Sequence, residues 1–254
     1  MTAESGNRNG SGLRPSGYAS RLYEFSYALA SPLYDLVVWW GFLPLGGEAA
    51  VRREFTRWID PAPGLEIASL CCGTGSMERA MLRAEPALRI TAVDLGRGQI
   101  ARARRKDRSG RIAYSIGNAA DTGLPAASFD RVVITLALHE MPRELRLRVL
   151  REAARICRPG GRVVAIEHGR PPGAGSRLLQ ALWWFFWIPR NPEVATSRDL
   201  QRRGLDNEMR ECGLQPFERH ATDRDWIEGF VALPSDALGE SGRAAVEAWP
   251  GDRS

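Results

Sequence analysis

The chain has 254 residues, of which 44% are hydrophobic and 26% are charged, and its formal net charge is +5. A chain of this length can bury one sizeable core, and this balance excludes wholesale disorder and a polytopic membrane protein. The positive charge is scattered along the chain, and its densest run is predicted to be a solvated helix face: Arg102, Arg104, Arg105 and Lys106. We therefore expect a soluble globular protein that does not bind nucleic acid.

The cysteines and the N-terminus bear on the compartment. Cys71, Cys72, Cys157 and Cys212 have neither the paired spacing of a zinc site nor that of a disulfide framework. This usage fits a reducing environment. The opening residues, MTAESGNRNGSGLRPSG, lack the apolar core of a secretory signal. The expected location is the cytoplasm, with residues 1–17 as a disordered tail.

The next part of the chain predicts a cap followed by an α/β domain. Residues 18–60 carry apolar and aromatic residues at helical spacing, which indicates an N-terminal helical cap. Over 61–170, five short apolar runs alternate with helical stretches: EIASL, RITAVDL, RIAYSIG, FDRVVITLAL and GRVVAIEH. This alternation predicts a Rossmann-like, doubly wound α/β core with a mostly parallel sheet. One helix is expected to begin at Pro142 and to stop before Pro159-Gly160-Gly161.

The last third of the chain has a different pattern. Residues 171–235 are predicted to form a substrate-side insertion and the C-terminal strands. They include a polar helix-like segment, SRDLQRRGLDNEMRECG, and two strands, LQPFERHAT and DWIEGFVAL, which bring the sheet to seven strands. Residues 236–254 are expected to form a C-terminal tail.

A glycine-rich turn, Cys71-Cys72-Gly73-Thr74-Gly75, directly follows the first predicted strand. An open α/β sheet binds nucleotides at such a turn, because glycine lets the backbone approach the ligand and the next helix offers free N–H groups. Asp94 ends the second strand, close to the spacing of about 20 residues at which a carboxylate meets a ribose diol. A G-x-G-x-x-G fingerprint is absent and no Gly-Lys-Ser/Thr follows, which weakens a nicotinamide cofactor and excludes a P-loop.

Five segments occur in the order found in a known family: SLCCGTG, AVDLG, GNAADTGLPAASFDRV, LALHEMP and RPGGRVVAIEHGRP. Over about residues 25–168 the chain resembles the class I S-adenosylmethionine-dependent methyltransferases. The similarity is to the branch with a methyltransferase type 11 domain that includes the ubiquinone and menaquinone C-methyltransferases. It implies transfer of a methyl group from S-adenosylmethionine to a small acceptor. A protein of this fold that binds the cofactor without turnover, or uses it for other chemistry, remains the alternative.

The resemblance also implies which residues hold the cofactor. The turn would face the methionine part, Asp94 would hold the ribose, and Asn118 would clamp the adenine. Leu136 would lie beside the sulfonium and Tyr34 would cover the pocket from the cap. The full implied set is Tyr34, Ser69, Cys71, Gly73, Thr74, Gly75, Asp94, Leu95, Asn118, Ala119 and Leu136.

Two positions depart from the family pattern. Ser69 stands where an acidic residue usually closes the first strand, and Cys71 replaces the first glycine of the turn. Serine lacks a charge that could meet the cofactor's ammonium, and cysteine adds a side chain where backbone normally approaches closely. We expect a working enzyme that tolerates both, with loss of methyl transfer as the alternative.

Four side chains are candidate bases for an acceptor that must lose a proton. His139 and Glu140 follow the fourth strand, and Glu167 and His168 end the fifth. The strand order of the family would make these two ends neighbours. His139 could instead be a structural wall residue, and Glu140 could merely cap the next helix. No metal is expected, because the tight ligand spacing of a metal site is absent.

Five of the eight tryptophans fall in two segments, VVWWGFLPL and LLQALWWFFWIP. The resemblance places both around the substrate mouth, through Trp39, Trp40, Trp183, Trp184 and Trp187. The second apolar run, from Leu178 to Pro189, is shorter than the about 20 residues that span a bilayer, but it could line a pocket or dip into a membrane interface. We expect a lipophilic, quinone-like or phenolic acceptor and peripheral membrane contact, with core packing as the alternative.

Overall fold

The computed structural model describes residues 42–170, 173–176, 178 and 193–235. The predicted cap is therefore described only from residue 42 onward, and both tails lie outside the described residues. So do Tyr34 and the tryptophans Trp39, Trp40, Trp183, Trp184 and Trp187. Within the described ranges, no helix is both long enough and apolar enough to cross a membrane.

One sheet of seven strands forms the centre of the described structure. The strands are β1 Glu66–Leu70, β2 Arg89–Asp94, β3 Ile112–Ile116, β4 Phe129–Thr135, β5 Cys157–His168, β6 Leu214–Ala221 and β7 Ile227–Pro234. Their order across the sheet is β3-β2-β1-β4-β5-β7-β6. β1 to β5 are mutually parallel, and β7 runs antiparallel to both β5 and β6. The predicted mostly parallel, Rossmann-like sheet is confirmed.

Helices cover both faces of this sheet, as strands buried on two sides require. They are α1 Glu48–Ile59, α2 Ser76–Ala84, α3 Arg97–Lys106, α4 Arg143–Ile156, α5 Glu193–Arg203 and α6 Leu205–Glu211. Apolar residues of α1, α2 and α3 pack in one core cluster, and those of α4, α5 and α6 pack in another. Between them, Val132, Val133 and Ile134 of β4 are completely buried.

Two local predictions are corrected by the structure. α4 begins directly after Pro142 and ends at Ile156, before Pro159-Gly160-Gly161, as expected. The strand predicted from GRVVAIEH begins earlier than expected, at Cys157, so Pro159-Gly160-Gly161 lies within the start of β5. The polar segment SRDLQRRGLDNEMRECG is not one helix, because Gly204 adopts a left-handed φ of 82° and separates α5 from α6. The helix is interrupted at Gly204 because a positive φ does not occur within a continuous α-helix.

A buried arginine ties α4 to the two helices after it. The Nε and Nη2 atoms of Arg146 donate to the two carboxylate oxygens of Glu208 at 2.9 and 2.8 Å, and Nη2 also donates to Asp199 at 2.7 Å. Its Nη1 donates to the carbonyl oxygen of Met141 at 2.8 Å. Such a bidentate, fully desolvated pair fixes geometry because neither partner can leave without exposing an uncompensated charge. The loop that precedes α4 is held in place in this way.

Candidate cofactor and acceptor site

The parallel strands β1 to β5 end at the same edge of the sheet, and the strand order reverses at β1. β2 lies on one side of β1 and β4 on the other, which opens a crevice at the carboxyl ends of these strands. Ligands of open α/β sheets bind in such a crevice. Three features lie at these strand ends: the turn from Cys71 to Gly75 follows β1, Asp94 ends β2 and Leu136 follows β4.

The backbone on both sides of this crevice is strained. Cys71, directly after β1, has a φ of 59°, and Leu136, directly after β4, has a φ of 51°. A residue other than glycine adopts this left-handed region only where the surrounding structure imposes it, and such strain concentrates at functional sites. Cys71 therefore adopts, despite its side chain, a backbone conformation that favours glycine.

The second glycine of the turn has a packing reason as well as a conformational one. Gly75 has a φ of 74°, and a Cβ built on it would lie 2.4 Å from the hydroxyl of Tyr114. Thr74, just before it, is buried, and its carbonyl oxygen accepts from Nη1 of Arg79 at 2.8 Å. Arg79, on the helix that follows, thus stabilises the turn through this hydrogen bond.

Asp94 anchors the turn to β2. Its Oδ2 accepts from the backbone N–H of Gly73 at 2.8 Å, and its Oδ1 accepts from the N–H of Gly96 at 2.7 Å. Burial raises the pKa of Asp94, and these two hydrogen bonds oppose that rise. Each carboxylate oxygen keeps a second acceptor direction, which fits the two hydroxyls of a ribose.

The neighbouring strand ends present apolar surface beside this carboxylate. Asp94 pairs with Ile116 across β2 and β3, and the side chains of Leu95 and Ile116 are 51% and 45% exposed. Asn118 is exposed. Its Oδ1 accepts from the backbone N–H of Ala120 at 3.0 Å, which is a hydrogen bond within the local turn. Ala119 is buried. A carboxylate beside exposed apolar side chains fits an adenosine moiety.

Three of the four candidate bases form one cluster, in which Glu167 and His139 are buried and His168 is half-buried. Glu167 is 1% exposed, and its Oε1 accepts from the N–H groups of Ala137 and Leu138 at 2.7 and 2.6 Å. Its Oε2 lies 2.8 Å from Nδ1 of His139. The rings of His139 and His168 meet edge to face, with their centroids 4.4 Å apart. The predicted neighbourhood of the ends of β4 and β5 is present in the structure.

The carboxylate of Glu167 fixes which nitrogen of the His139 ring carries a proton. Burial would raise the pKa of Glu167, but the charge and hydrogen bond of His139 and the N–H of Leu138 oppose it, and the pKa is lowered below its usual value. An ionised carboxylate accepts, so Nδ1 of His139 donates to it, and whenever the ring is neutral its lone pair lies on Nε2. Glu167 is therefore arranged to position His139 and not to take a proton itself.

Glu140 connects this cluster to the glycine-rich turn. It follows His139 in the short 3-10 helix Leu138–Glu140 and is half-buried. Burial raises the pKa of the Cys71 thiol, and the charges of Asp94, Glu140 and Glu167 raise it further. The cofactor turn and the candidate bases thus share one electrostatic environment at the carboxyl edge of the sheet.

His168 gives the folded protein a specific sensitivity to acid. Burial and the neighbouring His139 lower the pKa of His168 to about 3, so it is neutral in the folded state at neutral pH. An unfolded histidine takes up a proton near pH 6.5, so between pH 6.5 and 3 the unfolded chain binds the extra proton and the free energy of unfolding falls as pH falls. Urea unfolding should therefore show a shallower pH dependence in His168→Asn than in the wild type, by at most about 1.4 kcal/mol per pH unit. His220→Asn, on β6, serves as the control, and equal slopes in wild type and His168→Asn would contradict this assignment.

All four thiols are expected to resist modification in the folded protein. Burial raises the pKa of Cys71 and Cys72, and it raises those of Cys157 and Cys212 to about 12 and about 11. The thiolate is the reactive form, so its fraction at pH 8 is small at every one of these positions. A chromogenic disulfide reagent should react slowly with the native protein and rapidly with four thiols per chain in denaturant. Fast reaction of one native thiol would show that its site opens.

Sequence reasoning missed two buried polar side chains beneath the turn, Glu78 and Tyr114. Glu78 is completely buried in the first turn of α2, and its Oε1 accepts from the hydroxyl of Ser69 at 2.5 Å. The sequence signal that could have indicated the burial of Glu78 is its place on the same helix face as the apolar residues Met77 and Met81. Among the described residues, no three His, Cys, Asp or Glu side chains are grouped as metal ligands. The expectation of a site without metal stays a prediction.

Comparison with known proteins identifies the family. A methyltransferase domain model matches residues 67–161. The demethylmenaquinone methyltransferase of Lactococcus lactis subsp. lactis is 36% identical over 177 residues, which cover 60% of this chain and 69% of that protein. The demethylmenaquinone methyltransferase of Bacillus cytotoxicus is 28% identical over 144 residues, which cover 55% and 60%. This chain thus spans about 60% of the length of several curated relatives that it matches.

A solved structure gives the same answer for the fold. The SAH-bound form of CalO1, a methyltransferase in calicheamicin biosynthesis, superimposes with a TM-score of 0.60 at 20% identity, over 86% of this chain and 62% of that one. The fold and the relatives define a Rossmann-like methyltransferase domain. The chain belongs to the class I S-adenosylmethionine-dependent methyltransferases, of the ubiquinone/menaquinone C-methyltransferase type. The predictions of this family and of S-adenosylmethionine as its cofactor are confirmed.

Proposed function

We propose that this protein transfers the methyl group of S-adenosylmethionine to a small lipophilic acceptor of the quinol or phenol kind. The observation that supports the proposal most strongly is the buried pair of Glu167 and His139, which lies at the same sheet edge as the turn and Asp94. The names of the relatives, which are demethylmenaquinone methyltransferases, support an acceptor of the quinol class.

The residues around the crevice divide the work between cofactor and acceptor. When bound, S-adenosylmethionine supplies a methyl group made electrophilic by its positively charged sulfur. Asp94 would hold the ribose, the turn from Cys71 to Gly75 would face the methionine part, and Leu95 with Asn118 and Ala119 would border the adenine. Leu136 would approach the sulfur. Tyr34 is proposed as the lid from the cap.

His139 is the proposed general base. Transfer to a quinol or phenol breaks the bond between sulfur and methyl, forms a bond from methyl to carbon or oxygen, and releases one proton from the acceptor. Nε2 of His139 would accept that proton, and the imidazolium would be stabilised by the ionised Glu167 on Nδ1. His168, neutral and packed on the ring of His139, would keep the ring in place without competing for charge. Glu140 is the nearby carboxylate that could take the same role.

The acceptor class can be tested with three compounds. Purified protein is incubated with methyl-labelled S-adenosylmethionine and with a reduced naphthoquinol that carries a polyprenyl tail, the same naphthoquinol without a tail, or a simple catechol. We expect labelled product from both naphthoquinols, with a KM at least about 10-fold lower for the tailed compound because the tail adds apolar area to bury. Product from catechol alone would overturn the lipophilic acceptor. Binding of the cofactor with no product from any compound would favour the non-methylating alternative.

The tryptophan-rich segments carry a further part of the proposal. Trp183, Trp184 and Trp187 are proposed to contact the apolar tail of the acceptor or the surface of a membrane. Replacing all three with serine should weaken binding of the tailed naphthoquinol or of liposomes more than binding of the cofactor. An equal loss of both would indicate that these side chains are core packing.

A further inference from the structure

Ser69 and Glu78 form a buried polar pair beneath the start of the glycine-rich turn. Ser69 is 2% exposed at the next-to-last position of β1, and Glu78 is 0% exposed in the first turn of α2. The hydroxyl of Ser69 donates to Oε1 of Glu78 at 2.5 Å. Ser69 stands where the family has an acidic residue on β1. The carboxylate of Glu78 therefore lies within one hydrogen bond of that position.

The second carboxylate oxygen of Glu78 is unsatisfied within the described part of the chain. Oε2 is buried and has no hydrogen-bond partner there. Leaving a buried carboxylate oxygen without a partner is costly, and native proteins rarely do so without a functional reason. The hydroxyl of Tyr114, which packs against Gly75, is also buried without a partner. The polar groups beneath the turn are thus incompletely satisfied by the protein alone.

The two arginines whose charges act on Glu78, Arg52 and Arg79, make their contacts with other groups. Arg79 donates to the carbonyl oxygen of Thr74 at 2.8 Å and to the hydroxyl of Ser76 at 3.3 Å. Arg52 forms an ion pair with Glu48 at 3.6 Å and lies over the ring of Phe42, with Cζ 5.4 Å from the ring centroid, and its Nε makes no hydrogen bond within the described part of the chain. Both lower the pKa of Glu78 through space, against the larger effect of its burial. Neither occupies its second oxygen.

Glu78 and Asp94 both lie close to the turn. Burial raises the pKa of the Cys72 thiol and the charges of both carboxylates raise it further, while Asp94 accepts from the N–H of Gly73. A ligand that places a diol on Asp94 and follows the turn back toward β1 would bring its other end toward Ser69, the hydrogen-bond partner of Glu78. That end of S-adenosylmethionine carries an ammonium, which is the complement that a carboxylate with one unpartnered oxygen requires.

We propose that Glu78 binds the ammonium of the cofactor's methionine end, in place of the acidic residue that β1 lacks, and that Ser69 is a positioning residue that orients its carboxylate. This inference rests on the proposed cofactor site and deepens it. It also gives a physical reason for the departure at Ser69: the negative charge has moved from the strand to the first turn of the helix.

The test compares two ligands by calorimetry. S-adenosylhomocysteine carries the ammonium, and 5′-methylthioadenosine keeps the adenine, the ribose and the sulfur without it. Glu78→Gln should weaken binding of S-adenosylhomocysteine about 10- to 100-fold and leave binding of 5′-methylthioadenosine within about 3-fold. The double variant Ser69→Asp/Glu78→Gln should recover most of the lost affinity, because it returns the carboxylate to β1. Glu54→Gln, on α1, is the matched control and should change neither affinity.

The outcomes separate this proposal from the proposed function. Equal weakening of both ligands in Glu78→Gln, or no weakening of either, would overturn the role of Glu78 while leaving the cofactor site intact. Failure of the double variant to recover affinity, with thermal unfolding showing that it is folded, would overturn the exchange of roles with Ser69. If the wild-type protein bound neither ligand, the proposed cofactor site itself would be wrong.

Discussion

Replacing His139 with glutamine is expected to lower kcat about 100-fold or more and to change the affinity for S-adenosylhomocysteine by less than about 3-fold. General base catalysis contributes about 100- to 10,000-fold, and glutamine keeps a polar side chain without the titrating nitrogen. The variant still offers a donor to Glu167, whose carboxylate accepts from His139, Ala137 and Leu138. Single-turnover transfer of a labelled methyl group at saturating cofactor measures the chemical step directly.

Two companion variants sharpen this prediction. Glu167→Gln should lower kcat as well, because an amide in place of the carboxylate removes the fixed tautomer and the stabilisation of the imidazolium. Glu140→Gln separates the two candidate bases at the end of β4, and it should retain most of the activity. Full activity in His139→Gln, or loss in Glu140→Gln alone, would move the role of base from the histidine to the glutamate.

Replacing Asp94 with alanine is expected to weaken binding of S-adenosylhomocysteine by about 100-fold or more. The carboxylate provides the proposed contacts to the ribose diol, and it also holds the turn to β2 through the N–H of Gly73. Losing charge-assisted hydrogen bonds on the ligand and loosening the turn both act against binding. Calorimetric titration measures the loss.

The control for this variant is Asp107→Ala. Asp107 likewise accepts backbone and side-chain hydrogen bonds, from Ser109, but it lies at the opposite end of α3. It should leave the affinity unchanged. Circular dichroism must show that Asp94→Ala is folded, and unaltered affinity in that folded variant would contradict the ribose assignment.

The fold could be predicted from the sequence because its signals are local. The first strand, EIASL, has the predicted bounds Glu66–Leu70, and α4 begins directly after Pro142. The split between α5 and α6 was missed because a single glycine in a polar segment interrupts a helix only if the backbone takes a left-handed turn there. Gly204 does so, with a φ of 82°, and the sequence pattern alone does not specify that conformation.

The sequence was enough to predict which residues belong to the candidate site, but not which contacts they make with one another. Spacing after the strands was enough to select Asp94, His139 and Glu167. It could not reveal that Glu167 binds two backbone amides and His139 at once, because those partners come from a different strand. The hydrogen bond between Ser69 and Glu78 could not be predicted for the same reason, because it joins β1 to the helix that follows the turn.

The most direct test of this account is mass spectrometry of a single-turnover reaction with deuterated-methyl S-adenosylmethionine and a tailed naphthoquinol. The account predicts one equivalent of product carrying the intact deuterated methyl group, formed in step with S-adenosylhomocysteine and strongly slowed in His139→Gln. If the wild-type protein bound the cofactor and left the naphthoquinol and a panel of phenols unmethylated, the proposal of methyl transfer to this class of acceptor would be contradicted.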